Sequence, residues 1–152
     1  MIESIITTPL TLTSNSSIVA FPVDDLRTRG ANCPCGFLQH EQGSPLYKVL
    51  QGGIYDIDLN AVVTSATAGI VALGLYQDGI LIPASTSAET IAAAGDIANL
   101  SFNKKIRVCC KANTTLTIAA IPSVNAGATG ATPTATQIPI ITSATFGISK
   151  NA

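Results

Sequence analysis

Apolar and polar side chains alternate along residues 53–63: Tyr55, Ile57 and Leu59 fall on one side, Ile54, Asp56 and Asp58 on the other. A period of two is the mark of a strand with one face turned to a core. A second β-rich stretch, residues 69–77, runs into Gln77-Asp78-Gly79. Asp-Gly there supplies the positive φ that a tight hairpin needs. Similar short runs between Gly, Pro, Asn and Asp clusters predict strands over residues 10–13, 17–21, 46–49, 53–63, 69–77, 80–83, 98–102, 105–111, 114–121 and 137–149. The best helical stretch, residues 87–94, carries β-branched Thr90 and Ile91 and is stopped by Gly95, so no helix is expected.

Strands this short and numerous predict an all-β, two-sheet antiparallel jelly-roll sandwich rather than a small open barrel. Two segments break the periodicity and are expected to be long loops. Residues 24–43 hold Arg27, Arg29 and Cys33-Pro34-Cys35, and residues 123–133 are small and uncharged. About 19 residues follow the second segment, too few for a further domain. Residues 1–152 are therefore expected to form one head domain, with residues 1–9 as an N-terminal arm or edge strand.

Composition changes this picture in one respect. Only 11% of residues are charged and the mean hydropathy is +0.42, against about 25% charged in an average domain. No run approaches the ~18 apolar residues of a membrane span, so membrane insertion is not expected. A weakly polar surface that stays in water is best covered by copies of the same chain, which predicts a homo-oligomer. The net charge of −1, scattered basic residues and few aromatic ones argue against nucleic acid. The first residues lack the basic and apolar regions of a secretory signal, so synthesis in a cytoplasm is expected.

Candidate chemistry is sparse. Cys33, Cys35, His40, Cys109 and Cys110 are metal-capable, but one residue rather than two separates the first cysteine pair, which fits no established zinc turn. A disulfide from the loop to Cys109-Cys110 stays open on spacing, and a cytoplasmic origin makes it the less expected state. One histidine and no Gly-x-Ser-x-Gly elbow leave nucleophilic catalysis unsupported. Asp56 and Asp58 lie about 7 Å apart on one strand face, a spacing open to glycosidases, but alternating Asp is read here as a solvent face. No catalytic residue, metal or cofactor is expected.

A wider resemblance rests on the order of these pieces. His40-Glu41-Gln42-Gly43-Ser44 closes an early loop, Gly53-Ile54-Tyr55 opens a strand, and Asp78-Gly79 turns a hairpin. Ile106-Arg107-Val108-Cys109-Cys110 then leads into Thr114-Thr115-Leu116-Thr117-Ile118, and an alternating strand closes the chain. From about residue 10 onward the chain resembles the tumour-necrosis-factor-like and complement-globular-head jelly rolls of Gram-positive bacteria and their phages. That resemblance implies tight homotrimers around an apolar axis, serving adhesion or decorating larger particles, with no fixed active site.

The functional expectation is a non-enzymatic phage virion protein, made in the host bacterial cytoplasm and decorating the capsid or virion surface. Its partners would be itself and the major capsid protein or another virion protein. One alternative is a fibre or baseplate head that binds a surface receptor or glycan. Another is a phage-encoded protein that sequesters a small signalling molecule between subunits, with anion contacts from Arg27, Arg29, Lys104, Lys105 and Arg107. Tyr55, Ile57, Leu59, Leu75 and Tyr76 are the candidates for the trimer core or axis. Neither a collagen-like repeat nor a heptad seam is present, so the chain is expected to be all head. Attachment then falls to Ile2, Ile5 and Ile6, whose segment suits adding a strand to an exposed sheet edge or pairing within its own sandwich.

Overall fold

The computed structural model describes residues 1–27, 36–109, 114–125 and 132–151, which are built of strands and turns. In chain order the strands are β1 (Ile2–Ile6), β2 (Leu10–Thr11), β3 (Val23–Arg27), β4 (Leu38–His40), β5 (Tyr47–Val49), β6 (Gly53–Thr64) and β7 (Gly69–Gln77). They continue with β8 (Ile80–Ile91), β9 (Ala98–Val108), β10 (Thr114–Ala120), β11 (Ser123–Val124), β12 (Thr134–Ala135) and β13 (Ile140–Lys150). Pairing is antiparallel throughout. One sheet has the order β3-β1-β13-β6-β9, with β2 also against β13; the other has the order β4-β5-β10-β7-β8.

The alternation on β6 sets the layer between the sheets. Tyr55, Ile57, Leu59, Ala61 and Val63 are all buried, and they share one core with Leu73 and Leu75 of β7, Ile118 of β10 and Phe146 of β13. Phe146 stacks on Phe21 at 5.4 Å between ring centres and meets the edge of Tyr47 at 5.0 Å. Each fully buried aliphatic or aromatic side chain stabilises the fold by roughly 1.5–3 kcal/mol. The expected hairpin joins β7 to β8, and both Asp78 and Gly79 take the positive φ such a turn demands.

Several segments depart from the sequence expectation. β8 does not stop at Pro83 but runs to Ile91, taking in residues 87–91 of the helical candidate, because Ile70 to Ala72 supply cross-strand partners for Thr90 to Ala88. Pro83 is tolerated because β8 is an edge strand bonded only to β7. Next to it Ala84 has φ 56 and the register shifts between Gly74 and Tyr76, while the Ser85 hydroxyl donates to the carbonyls of Leu75 and Ile82. β9 is one strand where two were expected, since β6 pairs with it without interruption from Val63 to Gly53. The expected loop 24–43 contains most of β3 and all of β4, and the expected loop 123–133 contains β11. Residues 17–21 make only an isolated bridge, Ile18 to Ala119.

The two rims of the sandwich are closed by side chains. On one rim Asp24 of β3 bonds His40 of β4; on the other, the Ser101 amide of β9 donates to the Ser87 hydroxyl of β8 at 3.1 Å. Replacing Phe146 with Ala is expected to lower the unfolding free energy by roughly 3–5 kcal/mol. Ile54→Ala, at a position 49% exposed on the other face of the same sheet, should stay within about 0.5 kcal/mol. Urea denaturation of both variants checks this.

Candidate functional site

The outward face of the six-stranded sheet is the broadest regular surface the strands produce. Strand register aligns Ile5, Thr145, Asn60 and Ser101 in one row across β1, β13, β6 and β9. The next row holds Glu3, Gly147, Asp58 and Asn103. Beside the register shift between Ile141 and Ser143, where a bulge bends β13, a groove of about 460 Å³ opens. Ile5, Asn60, Val62, Asn99, Ser101 and Thr145 line it, and its lining contains no charged residue. Gly147 has a spatial role in this face: the Asp58 carboxylate occupies the space that a Cβ at residue 147 would need.

A second feature lies on the β3–β4 rim. The Asp24 carboxylate is buried, and it accepts from the Ser4 hydroxyl and the Arg27 guanidinium, with His40 Nδ1 at 2.8 Å from Oδ2. His40 Nε2 lies 2.9 Å from the Ser44 carbonyl. A carboxylate and a carbonyl thus stand at the two ring nitrogens, and both are acceptors. The ring stacks on Tyr47 with centres 3.9 Å apart. Burial alone would raise the Asp24 pKa, but the bonds from Ser4 and His40, the His40 charge and the Arg27 bond together hold it below the ordinary value. Burial pushes the Tyr47 hydroxyl upward.

Serine, histidine and aspartate thus meet, but not as a nucleophile and its base. The Ser4 hydroxyl donates its hydrogen bond to Asp24 and is fully buried, and His40 directs its nitrogens at Asp24 and Ser44. The cluster ties two sheets together. A cleft of about 540 Å³ beside it mixes Arg27 and Lys48 with Glu41.

The remaining sequence candidates separate by face. Tyr55, Ile57, Leu59 and Leu75 are 0–1% exposed within the single chain. They fill the subunit's own core and have no surface to give an axis between subunits; Tyr76 is half-buried. Of the attachment candidates, Ile2 and Ile6 are buried and Ile5 is half-buried. β1 is bonded to β13 on one side and β3 on the other, so its main-chain groups are already used inside the sheet. Asp56 lies 3.6 Å from Lys105. Arg27 and the Lys104, Lys105 and Arg107 group stand on opposite edges of the sheet. Cys109 is exposed, and Arg29, Cys33, Cys35 and Cys110 fall outside the described residues. Among the described residues no three His, Cys, Asp or Glu groups gather as metal ligands.

Sequence reasoning missed the Asp24–His40 pair; its one local signal is that Leu38-Gln39-His40 alternates with His40 on the buried side.

No family model matches the sequence, and no curated protein matches it. Among solved structures the chain is similar to the globular domain of zebrafish complement 1qA protein, with TM-score 0.61 and 9% identity over 99% of this chain and 98% of that one. It is also similar to the Eiger TNF of S. frugiperda, with TM-score 0.57 and 9% identity over 99% and 91%. The shared property is the fold, a two-sheet antiparallel jelly roll.

The Asp24 pKa, lowered in the fold, makes a signed prediction. Its stabilisation is complete above the ordinary carboxylate value of 3.8 and is lost as pH falls through the lower folded value. Thermal midpoints should therefore fall steeply below about pH 4. Asp24→Asn should cost roughly 1–3 kcal/mol at neutral pH and flatten that acid dependence, as measured by melts across pH.

Proposed function

We propose that this chain is a non-enzymatic structural protein, a jelly-roll head that assembles as a homotrimer and decorates a phage virion. The observation that carries the assembly is the outward face of the six-stranded sheet. Its central row, Ile5–Thr145–Asn60–Ser101, presents hydroxyls, an amide and one aliphatic side chain on regular strands. That row can be covered by another subunit without desolvating an ion, and its hydroxyls and amides can pair across the seam. The middle of the seam is thus polar and uncharged rather than aromatic. The low charge of the whole chain favours the same outcome.

A structural role is further supported by the Ser4–Asp24–His40 cluster, which serves to join the sheets. The virion and its shell protein are the finer part of the reading. Their support is the order of sequence features alone, which resembles that of bacterial and phage heads.

Light scattering at micromolar concentration should return three times the chain mass. Asn60→Arg combined with Thr145→Arg should give a folded monomer, because a charge would then be buried against each neighbour. A monomeric parent protein would reject the assembly. Mass spectrometry of purified particles should find the chain in hundreds of copies, and its absence would reject the virion role.

A further inference from the structure

The six-stranded sheet ends in β3 on one side and β9 on the other, and these two rims carry opposite charge. β9 holds Lys104, Lys105 and Arg107. On the far side, β1 holds Glu3 and β3 holds Asp25. Asp24 shares that rim but is buried and already matched by Arg27 and His40. Among the described residues Glu3 and Asp25 make no ion pair. Lys105 faces Asp56 at 3.6 Å, yet its side chain is 67% exposed, and so open a pair is worth little. Asp58, the other β6 carboxylate, lies over Gly147, toward β13 and away from β9.

We propose that subunits join head to tail, the basic β9 rim of one against the acidic β1–β3 rim of the next. This rests on the homotrimer reading and names its contact. A two-fold pairing of either rim with itself would set like charges together. A rotation that brings one rim to the other sets opposite charges together, and a heterologous contact of that kind closes into a ring.

The heights of the groups agree with rotation about an axis along the strands. Glu3 is in register with Gly147, Asp58 and Asn103. Lys105, on the same face of β9 as Asn103, therefore sits two residues away, about 7 Å by strand rise and within reach of a lysine side chain, while Lys104 extends from the other face of this edge strand. Val23 and Leu26, 37% and 42% exposed beside the acidic pair, gain cover in the same contact.

The test is charge reversal read by light scattering at a concentration where the parent chain is trimeric. Lys104→Glu with Lys105→Glu, and separately Glu3→Lys with Asp25→Lys, should each raise the dissociation constant at least about tenfold and yield folded monomers. Combining all four substitutions in one chain should restore the trimer. A reversal that leaves the trimer intact, or a fourfold variant that stays monomeric, overturns the contact while the homotrimer stands. A monomeric parent chain instead overturns the homotrimer and this contact with it. Should a reversal fail to fold, the parent protein still decides. Raising salt from about 0.05 to 0.5 M should weaken its assembly roughly tenfold, and an unchanged constant overturns the proposal.

Discussion

Everything in this molecule depends on filling the layer between two sheets. Side chains of β6, β7, β10 and β13 pack on one another there, so the residues those strands turn inward must be apolar and shaped to their neighbours. Tyr55, Ile57 and Leu59 satisfy that from one sheet, Leu73, Leu75 and Ile118 from the other. Ionised groups cannot enter such a layer unpaired. The buried Asp24 carboxylate accordingly stands at the rim, where it reaches from one sheet to His40 of the other and a serine and an arginine complete its shell. The filling of the core and the closure of the rim are one requirement met in two chemistries.

What could be read from the sequence is what local alternation encodes. The β6 register, the β7–β8 hairpin at Asp78-Gly79 and the all-β class follow from neighbours a few residues apart. What escaped is what distant partners decide. Ile2 to Ile6 is a central strand only because Ile148 to Ala144, at the other end of the chain, pairs with it. The Ser-Thr-Ala stretch after Pro83 has weak strand preference of its own and is held extended by Ile70 to Ala72. Asp24 and His40 lie 16 residues apart on strands of different sheets, so no spacing rule brings them together. The same limit explains the aromatic candidates. Alternation identifies which side chains are hidden, but it does not say whether a subunit or an assembly hides them.

With those side chains inside the subunit, the opposite face of the sheet is the one left for a neighbour to cover. There Asn60, Ser101 and Thr145 make a surface that can be dehydrated at small cost when its hydroxyls and amides find partners. The chain's scarce charges become more informative for being few. A lysine or glutamate at a sheet edge is not lost among many others, and strand order gives each a fixed height and side.

The bend in β8 has a consequence of another kind. A twelve-residue edge strand with so little charge would be an open template for cross-β growth. Pro83 removes a donor from the exposed ladder, Ala84 turns the backbone out of line, and Ser85 ties the kink to Leu75 and Ile82. The edge is thereby cut into two short lengths, neither suited to recruiting a stray strand. The kink in this way guards the edge against the fibril, an ordered assembly that is very hard to reverse.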